Sequence, residues 1–326
     1  MHASQALHTD KSRIASGHVA LAAAQIGFGL FPIFGTLVFA AGGVSPLGVG
    51  SWRIGAGALI LGAIAFAIHG RAALPERRDI PRLLWCALLG VVVNQGLFLV
   101  GLSRSTPMNA GLVMSMIPVF TFAIAAAVRQ ERFSALRAAG VLIALAGMVP
   151  LLFGSGGGTR ILSEYGPGNL LMVGNGLSYS IYLVISKPLT RRYPALVILA
   201  WNYLLSLFAL PFFMAGEKLL PDPGFTAAWW SLAYIIAFPT VISYLLAMFG
   251  LARVRASTTA IYVYSQPIIA GVASWFAFGE QPTASMLVAA VALFIGIWLV
   301  ARRPPHPELP GSSLILKGDT VVQRNT

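Results

Sequence analysis

The chain has 326 residues, of which 57% are hydrophobic and 10% charged, and its mean hydropathy is +0.79. Soluble domains carry about 25% charged residues, so this composition excludes a soluble globular protein and predicts an all-α integral membrane protein. A net charge of +12 would favour nucleic-acid binding in a soluble protein, but Lys and Arg also accumulate in the cytoplasmic loops of membrane proteins. We therefore expect the lipid bilayer as a partner and no nucleic acid.

Ten apolar stretches are each about 20 residues long, the length that an α-helix needs to cross a bilayer. They cover residues 18–40, 47–69, 82–102, 107–128, 135–153, 168–187, 195–214, 228–250, 256–278 and 283–301. We expect residues 1–17 to form a cytoplasmic N-terminal arm and residues 304–326 to form a cytoplasmic tail. The Gly-rich residues 154–158 are typical of a flexible linker and separate two halves of five helices, residues 18–153 and 168–301.

Positive charges are distributed unevenly between the two sides of the ten predicted helices. Of the 22 Lys and Arg residues, 18 fall on the side of the N-terminus, and three fall on the other side, namely Arg104, Arg160 and Lys218. Cytoplasmic loops carry the excess of positive charge, so both termini are predicted to be cytoplasmic. The first stretch lacks the small-residue cleavage site of a signal peptide, and we expect it to remain as a membrane span.

Residues 101–148 and 250–297 are two copies of one segment. Five identical residue pairs are each separated by 149 positions: Gly101 and Gly250, Arg104 and Arg253, Pro118 and Pro267, Glu131 and Glu280, and Gly147 and Gly296. Trp52-Arg53 aligns with Trp201-Asn202 at the same separation, and in the first helix of each half the separation is nearer 151. Because five is odd, the second half enters the membrane from the opposite side. We therefore predict ten transmembrane helices as two inverted five-helix repeats, an architecture typical of alternating-access carriers.

Three short strings recur in both copies. They are Gly101-Leu102, Pro118-Val119-Phe120 and Glu131-Arg132-Phe133-Ser134 in the first half, and Gly250-Leu251, Gln266-Pro267 and Glu280-Gln281-Pro282-Thr283 in the second. These strings resemble the EamA-type domain of the drug/metabolite transporter superfamily. The resemblance implies a secondary transporter of the bacterial inner membrane that exports amino acids or related small metabolites through a central cavity. It also implies that the last helices of each half form a supporting or dimer surface, which permits a homodimer.

Other functions are weighed against this one. A multidrug or toxic-compound efflux carrier would share the architecture, whereas a non-transporting membrane scaffold or sensor would not explain buried polar residues together with inverted symmetry. An intramembrane enzyme would need a metal cluster, a Ser/His site or paired Asp residues, and the predicted spans contain no mid-helix acid. The chain has one cysteine, Cys86, and no phosphate-binding G-x-x-x-x-G-K-[ST] motif. We expect no catalytic residue, no metal site and no cofactor.

Arg53 is the one ionisable residue well inside a predicted span. A charge in a span costs about 2.5–3.5 kcal/mol on insertion scales, so such a residue normally faces a cavity or a partner. Arg53 is therefore a candidate substrate contact for an anionic group such as the carboxylate of an amino acid. The alternative is a structural residue whose guanidinium reaches the outer headgroups or binds backbone carbonyls.

Neutral polar residues within the spans form the rest of the predicted cavity, because an amide or hydroxyl in hydrocarbon must find a partner. The other substrate-binding candidates are Gln25, Asn94, Gln95, Asn175, Tyr179, Tyr182, Tyr244, Tyr262 and Gln266, and the remaining polar residues include Asn109, Ser115, Ser178, Asn202, Tyr264 and Ser265. As a set they predict a neutral, aromatic-rich cavity suited to a zwitterionic or amphipathic small molecule. Individually, each residue could instead hydrogen-bond two helices together.

Two prolines and two glutamates occupy matching positions in both halves. Pro118 and Pro267, within predicted helices 4 and 9, are expected to bend these helices and act as hinges, with a static kink as the alternative. Glu131 and Glu280 are predicted structural anchors of the hairpins between helices 4 and 5 and between helices 9 and 10. A role of these glutamates in proton coupling is the alternative.

Overall fold

The computed structural model describes residues 2–40, 42–130, 135–153, 164–253 and 262–301, and the secondary structure of these residues is helical throughout. We number the helical segments α1 (Ile14–Phe39), α2 (Pro46–Ala73), α3 (Arg77–Leu102), α4 (Pro107–Ala127), α5 (Ala135–Phe153), α6 (Gly166–Ser186), α7 (Ala195–Met214), α8 (Thr226–Gly250), α9 (Gln266–Phe278) and α10 (Ala284–Ala301). The prediction of an all-helical protein is confirmed.

Seven of these segments, α1 to α4 and α6 to α8, are long and apolar enough to cross a membrane, and α5, α9 and α10 are shorter apolar helices. The helix that contains α1 begins at His2, so the residues predicted as a polar arm continue the first helix. The predicted linker, the predicted tail and Glu131 lie outside the described residues.

The starts of α2 and α4 follow from capping chemistry. Ser45 precedes α2 with an extended backbone, and its side chain accepts a hydrogen bond from the N–H of Gly48 at 3.3 Å. Thr106 caps α4 in the same way through the N–H of Asn109 at 3.2 Å. A proline follows each cap, where its missing N–H costs the helix no hydrogen bond.

Helices of the two halves pack in matching pairs. α1 packs against α8 and α3 packs against α6, so the first helix of each half contacts the third helix of the other. Further contacts join equivalent helices, namely α2 with α7, α4 with α9 and α5 with α10. Residues near the start of α2 contact residues that follow α7, and residues near the start of α7 contact the end of α2, so these helices are antiparallel. Exchanging the two halves leaves these pairs unchanged.

Glycines of the repeated segment lie at these helix crossings. A Cβ on Gly101 of α3 would lie 2.9 Å from the carbonyl oxygen of Gly168 in α6. A Cβ on Gly250 of α8 would lie 3.0 Å from the carbonyl oxygen of Gly17 in α1. Gly17 and Gly168 are 151 positions apart, so the two contacts are equivalent in the two halves. Small residues let membrane helices approach closely, which explains why these glycines recur in both copies.

α5 and α10 pack on each other through the last glycines of the repeat. A Cβ on Gly147 would lie 2.5 Å from the Cβ of Ala292, and a Cβ on Gly296 would lie 2.5 Å from the carbonyl oxygen of Gly140. These two glycines therefore form a contact between helices of the same chain. The predicted homodimer stays a prediction.

We expect Gly296→Ala to lower the free energy of unfolding by about 1–3 kcal/mol, because the added methyl group overlaps a backbone oxygen and overpacking costs about this much. Gly55→Ala is the matched control, since a Cβ there has no atom within 4 Å. Thermal unfolding in detergent, followed by tryptophan fluorescence, should give a lower Tm for Gly296→Ala alone. Equal Tm values for the two variants would contradict the close crossing of α5 and α10.

Candidate functional site

A small polar cavity lies between helices of both halves, namely α2, α3, α6, α7 and α8. Its volume is about 30 Å³, which admits one or two water molecules. Its lining residues are Arg53, Gly90, Val91, Asn94, Gln95, Tyr179, Tyr182, Leu199, Asn202, Tyr203 and Tyr244. Arg53 is the one charged side chain in this lining, so the cavity is cationic and otherwise neutral.

A second, larger cavity of about 350 Å³ lies between α4 and α5. Its lining side chains are apolar and include Phe122, Val141 and Leu142. Such a groove suits a lipid acyl chain and gives a charged solute no polar contact. Among the described residues, no group of three or more His, Cys, Asp and Glu is placed to hold a metal ion. The polar cavity is therefore the candidate site.

The guanidinium of Arg53 is buried and held in place by neutral groups. Its Nε donates a hydrogen bond to Oε1 of Gln95 at 3.1 Å, and its central carbon lies 4.3 Å from the ring centre of Phe31. The side chain is 5% exposed, and its Nη1 is buried without a hydrogen-bond partner. Within the described ranges, no carboxylate forms a salt bridge with Arg53. A buried charge that lacks a counter-ion and has a spare donor can bind an anionic group.

Gln95 links three helices around this charge. Besides accepting from Arg53, it donates through Nε2 to the hydroxyl of Tyr203 at 3.4 Å. The three residues belong to α2, α3 and α7, and all three are buried. The hydrogen bonds to neutral Gln95 and Tyr203 fix the orientation of the Arg53 guanidinium. They do not neutralise its positive charge, which stays available to a ligand.

Asn202 of α7 occupies the position that aligns with Arg53 of α2, and both residues line the same cavity. Asn202 is 1% exposed, and its Oδ1 is buried without a hydrogen-bond partner. The rings of Tyr179 and Tyr182 lie 5.3 Å apart on the same wall. Aligned positions of the two copies thus supply one cationic donor and one neutral acceptor to a single site.

The wall formed by α3 contains a π-helical turn at Leu88–Val92. Side chains of α6 donate hydrogen bonds to backbone carbonyls in and after this turn. Ser178 of α6 donates to the carbonyl of Leu89 at 2.7 Å, and Asn175 of α6 donates to that of Asn94 at 2.7 Å. π turns are rare and often occur at functional sites, and this one carries two of the residues that line the cavity.

α8 contains a π-helical turn at the equivalent place, Phe238–Ile242. Pro239 within it lacks an N–H, so the regular helical hydrogen bond cannot form there. The carbonyl of Ile235, four residues before Pro239, therefore lacks its regular donor. It accepts a hydrogen bond from the hydroxyl of Thr240 at 2.8 Å instead. Both third helices of the halves are therefore locally unwound at the same level.

Six of the ten predicted cavity residues share this cavity: Arg53, Asn94, Gln95, Tyr179, Tyr182 and Tyr244. The other four lie outside its lining and join helices. Nε2 of Gln266 donates to Oε1 of Gln25 at 2.6 Å, and the hydroxyl of Tyr262 lies 2.9 Å from Nδ1 of His18. These two contacts connect α1 to the start of α9. The fourth residue, Asn175, ties α6 to α3 as described above.

Pro118 and Pro267 lie in the first turn of a helical stretch and not inside a continuous helix. α4 is interrupted by a turn at residues 115–116, and α9 is preceded by a turn at residues 264–265. A proline in a first turn removes no intrahelical hydrogen bond. The two halves thus share a helix interruption at the same place, and its action as a hinge stays a prediction.

Glu280 connects the end of α9 to the start of α4. Its Oε2 accepts hydrogen bonds from the hydroxyl of Ser274 and from the N–H of Met108, the latter at 3.4 Å. Met108 lies in the first turn of α4, where a carboxylate is stabilised by the helix dipole. α10 is capped separately, since the hydroxyl of Thr283 accepts from the N–H of Met286 at 3.3 Å. Glu280 therefore contacts α9 of its own half through Ser274 and α4 of the other half through Met108. Its role as an anchor of the hairpin between α9 and α10 stays a prediction.

Two polar residues of the lining, Asn202 and Tyr203, are absent from the ten substrate-binding candidates chosen from sequence, although Asn202 is among the other polar residues noted within the spans. The alignment of Asn202 with Arg53 could have identified Asn202 as a cavity residue. The equivalent helices α2 and α7 pack against each other, so their aligned positions lie close together. No comparable signal marked Tyr203, since tyrosine in an apolar stretch is equally typical of the membrane interface.

Matching indole contacts close the bundle at its two ends. Nε1 of Trp201, near the start of α7, donates to the carbonyl of Ala73 at the end of α2 at 2.6 Å. Nε1 of Trp52, near the start of α2, donates to the carbonyl of Leu219 beyond the end of α7 at 2.7 Å. We call these contacts the Trp201 closure and the Trp52 closure. They lie at opposite ends of the antiparallel pair α2 and α7.

The Trp201 closure is reinforced by a buried carboxylate. Asp79 is 4% exposed and accepts hydrogen bonds from Nη1 of Arg192 at 2.9 and 3.1 Å and from the hydroxyl of Tyr193 at 2.8 Å. Desolvation raises the pKa of Tyr193, so its hydroxyl stays protonated as a donor. These bonds tie the first turn of α3 to the loop between α6 and α7.

The Trp52 closure is held mainly by backbone groups. The N–H and hydroxyl of Ser45 both donate to the carbonyl of Lys218, at 3.0 and 3.1 Å. The ion pair between Lys218 and Asp222 is solvent-exposed, and exposed pairs contribute little stability. The two closures are equivalent in position and differ in strength.

An internal duplication with a polar cavity between the two halves is the architecture expected of a membrane transporter. A sequence profile of the EamA-like transporter family matches the chain twice, at residues 15–153 and 166–302. These matches cover most of the chain. The protein is therefore a member of the EamA-like transporter family.

Relatives of this chain carry transporter names. It is 27% identical to an uncharacterized transporter, YdfC, of Bacillus subtilis, over 73% of this chain and 78% of the relative. It is 25% identical to a probable terminal-alkyne amino-acid exporter of Streptantibioticus cattleyicolor, over 70% of this chain and 75% of the relative. A crystal structure of a protein with 21% sequence identity superposes with a TM-score of 0.59 and covers 94% of this chain and 99% of that chain. The last likeness shows the fold.

Proposed function

We propose that this transporter is a secondary carrier that exports amino acids or related small metabolites by alternating access through the Arg53 cavity. The observation that carries the proposal is the buried guanidinium of Arg53, with Nη1 unpaired, in a small polar cavity between helices of both halves. A membrane-embedded charge is expensive unless it serves a pathway or a partner. A carboxylate of the substrate would supply the missing counter-ion.

The proposed architecture is ten membrane spans in two inverted repeats, residues 18–153 and 168–301. The antiparallel packing of α2 and α7, the matching glycine crossings and the matching π turns support it. α5, α9 and α10 then cross the membrane as shorter spans. Inverted repeats allow one chain to form equivalent inward-open and outward-open states.

The proposed location is the bacterial inner membrane, with both termini cytoplasmic. The excess of Lys and Arg on one side supports this orientation. It places the Asp79 network and the Trp201 closure at the cytoplasmic end, and the Trp52 closure at the outer end. Each closure would open while the other stays shut, with the interruptions before Pro118 and Pro267 as hinges.

The size and charge of the cavity bear on substrate and mechanism. A volume of about 30 Å³ is too small for an amino acid, so the lining helices must separate before one can bind. A cation in the lining favours a substrate with an anionic group, and it disfavours the cationic compounds that a multidrug carrier would take. The relative named as an amino-acid exporter supports the same choice.

Counterflow in proteoliposomes tests this proposal. Vesicles loaded with one of the twenty protein amino acids at millimolar concentration should accumulate a trace of the same labelled compound from outside. We expect at least one amino acid to accumulate well above protein-free vesicles. Accumulation of none of the twenty would contradict amino acids as the substrate class.

A further inference from the structure

Two buried polar atoms in the cavity lining lack hydrogen-bond partners, and they have opposite character. Nη1 of Arg53 is a donor, and Oδ1 of Asn202 is an acceptor. The two residues are 5% and 1% exposed. Buried polar groups in native proteins are nearly always paired, so each unpaired one needs an explanation. A ligand that supplies one acceptor and one donor would explain both.

We infer that the transported molecule is a zwitterion whose carboxylate binds Arg53 and whose ammonium group binds Asn202. This inference rests on the proposed function and narrows its substrate class to molecules with one group of each kind, such as α-amino acids. The two contacts come from aligned positions of the two copies. The duplication therefore placed two aligned residues in one site. Because one copy has arginine and the other asparagine, the two residues can bind different groups of the substrate.

The charges of the lining support a single anionic group on the substrate. Arg53 is the one charged residue there, so one carboxylate neutralises the site. Arginine at both aligned positions would place two like charges together and would suit a dianion. Asparagine at position 202 avoids this repulsion and offers a neutral acceptor instead.

The ammonium group would be held without a carboxylate. Charge-assisted hydrogen bonds to a neutral oxygen are about twice as strong as neutral ones, and Oδ1 of Asn202 provides such an oxygen. The four tyrosines of the lining add aromatic faces that attract cations, namely Tyr179, Tyr182, Tyr203 and Tyr244. A molecule with only an ammonium group would be repelled by the positive charge of Arg53. A molecule with only a carboxylate would leave Oδ1 of Asn202 without a hydrogen-bond donor.

The first test compares three compounds on the wild-type carrier in detergent by calorimetry. They are the amino acid with the largest accumulation in counterflow, its methyl ester and its deaminated acid. We expect the ester and the deaminated acid each to bind at least about tenfold more weakly, the effect of one charge-assisted hydrogen bond.

The second test changes the proposed ammonium contact. Asn202→Leu should weaken binding of the amino acid about tenfold and leave binding of the deaminated acid unchanged. Asn202→Asp places a carboxylate at the same point, so the methyl ester should bind at least about tenfold more tightly than to wild type. This gain of binding requires a folded protein. Asn109→Ala is the matched control, because Asn109 is buried with an unpaired Oδ1 but does not line the cavity.

Equal binding of the amino acid and the deaminated acid would overturn the role of the ammonium group, and equal binding of the methyl ester would overturn that of the carboxylate. If Asn202→Asp and the wild type bind the methyl ester with equal affinity, Asn202 is not the contact of the ammonium group. In each case the carrier would still transport the amino acid. Failure of all twenty amino acids in counterflow is a different result and contradicts amino acids as the substrate class of the proposed function.

Discussion

Arg53→Gln is expected to lower the apparent affinity for a transported amino acid about 10- to 100-fold, with transport falling accordingly. The loss of a charge-assisted hydrogen bond to a carboxylate accounts for about 1.5–3 kcal/mol. Arg53 has no carboxylate partner among the described residues, so its removal leaves no carboxylate unpaired and costs the fold only the hydrogen bond to Gln95, about 0.5–1.5 kcal/mol. Counterflow rates and Tm values measured on the same preparation check this combination.

Arg104→Gln is the control for Arg53→Gln, since it removes one positive charge from an exposed loop position. Its transport rate and its Tm should match those of the wild type. A large fall in Tm for Arg53→Gln would instead indicate a structural residue, as in the alternative reading in which the guanidinium supports the helix. Unchanged transport by Arg53→Gln would remove this residue from the substrate site.

Asp79→Asn is expected to open the bundle at the end of the Trp201 closure. The substitution removes the charge that holds Arg192 and weakens the bond from Tyr193. Because Arg192 is half exposed, we expect a loss of about 2 kcal/mol, which corresponds to about a 30-fold shift in the population of the open state. A cysteine at cavity residue Leu199, in a Cys86→Ala background, should then react correspondingly faster with a thiol reagent from the cytoplasmic side.

Lys218→Met is the matched variant at the opposite end. It breaks an exposed ion pair in a non-helical segment, which contributes about 0.2–1 kcal/mol. Labelling from the outer side should therefore rise by less than about sixfold. If Asp79→Asn leaves the cytoplasmic labelling rate unchanged, the Asp79 network does not control opening.

The repeat made much of the fold predictable. The identities Gly101 with Gly250 and Gly147 with Gly296 mark helix crossings, where only a hydrogen atom fits between two backbones. Such positions tolerate few substitutions, so they keep their identity in both copies. Hydropathy located the helices for a similar reason, because every backbone group in a membrane must be paired within a helix.

The polar residues were less predictable, because polarity alone does not state which way a side chain faces. Gln25 and Gln266 satisfy each other across α1 and α9, whereas Asn94 and Gln95 lie in the cavity lining. All four are amides in apolar helices. The difference arises from the rotation of each helix, which is set by its packing.

The π turns were also invisible in sequence. Only Pro239 gave a local reason for one, and Leu88–Val92 contains no proline. That turn depends on donors from other helices, such as Ser178. Their position follows from tertiary packing and not from the sequence of α3.

The most direct test of the account is side-specific labelling of a cysteine at Leu199, which lines the polar cavity and is 9% exposed. In a Cys86→Ala background it is the one thiol of the chain. Alternating access predicts reaction with a membrane-impermeant thiol reagent added to either side, and protection by a transported amino acid. A cysteine at Met172, which is fully buried outside the cavity, should stay unreactive. Reaction of the Leu199 position from one side only, or from neither, would contradict a carrier that opens alternately to both sides of the membrane.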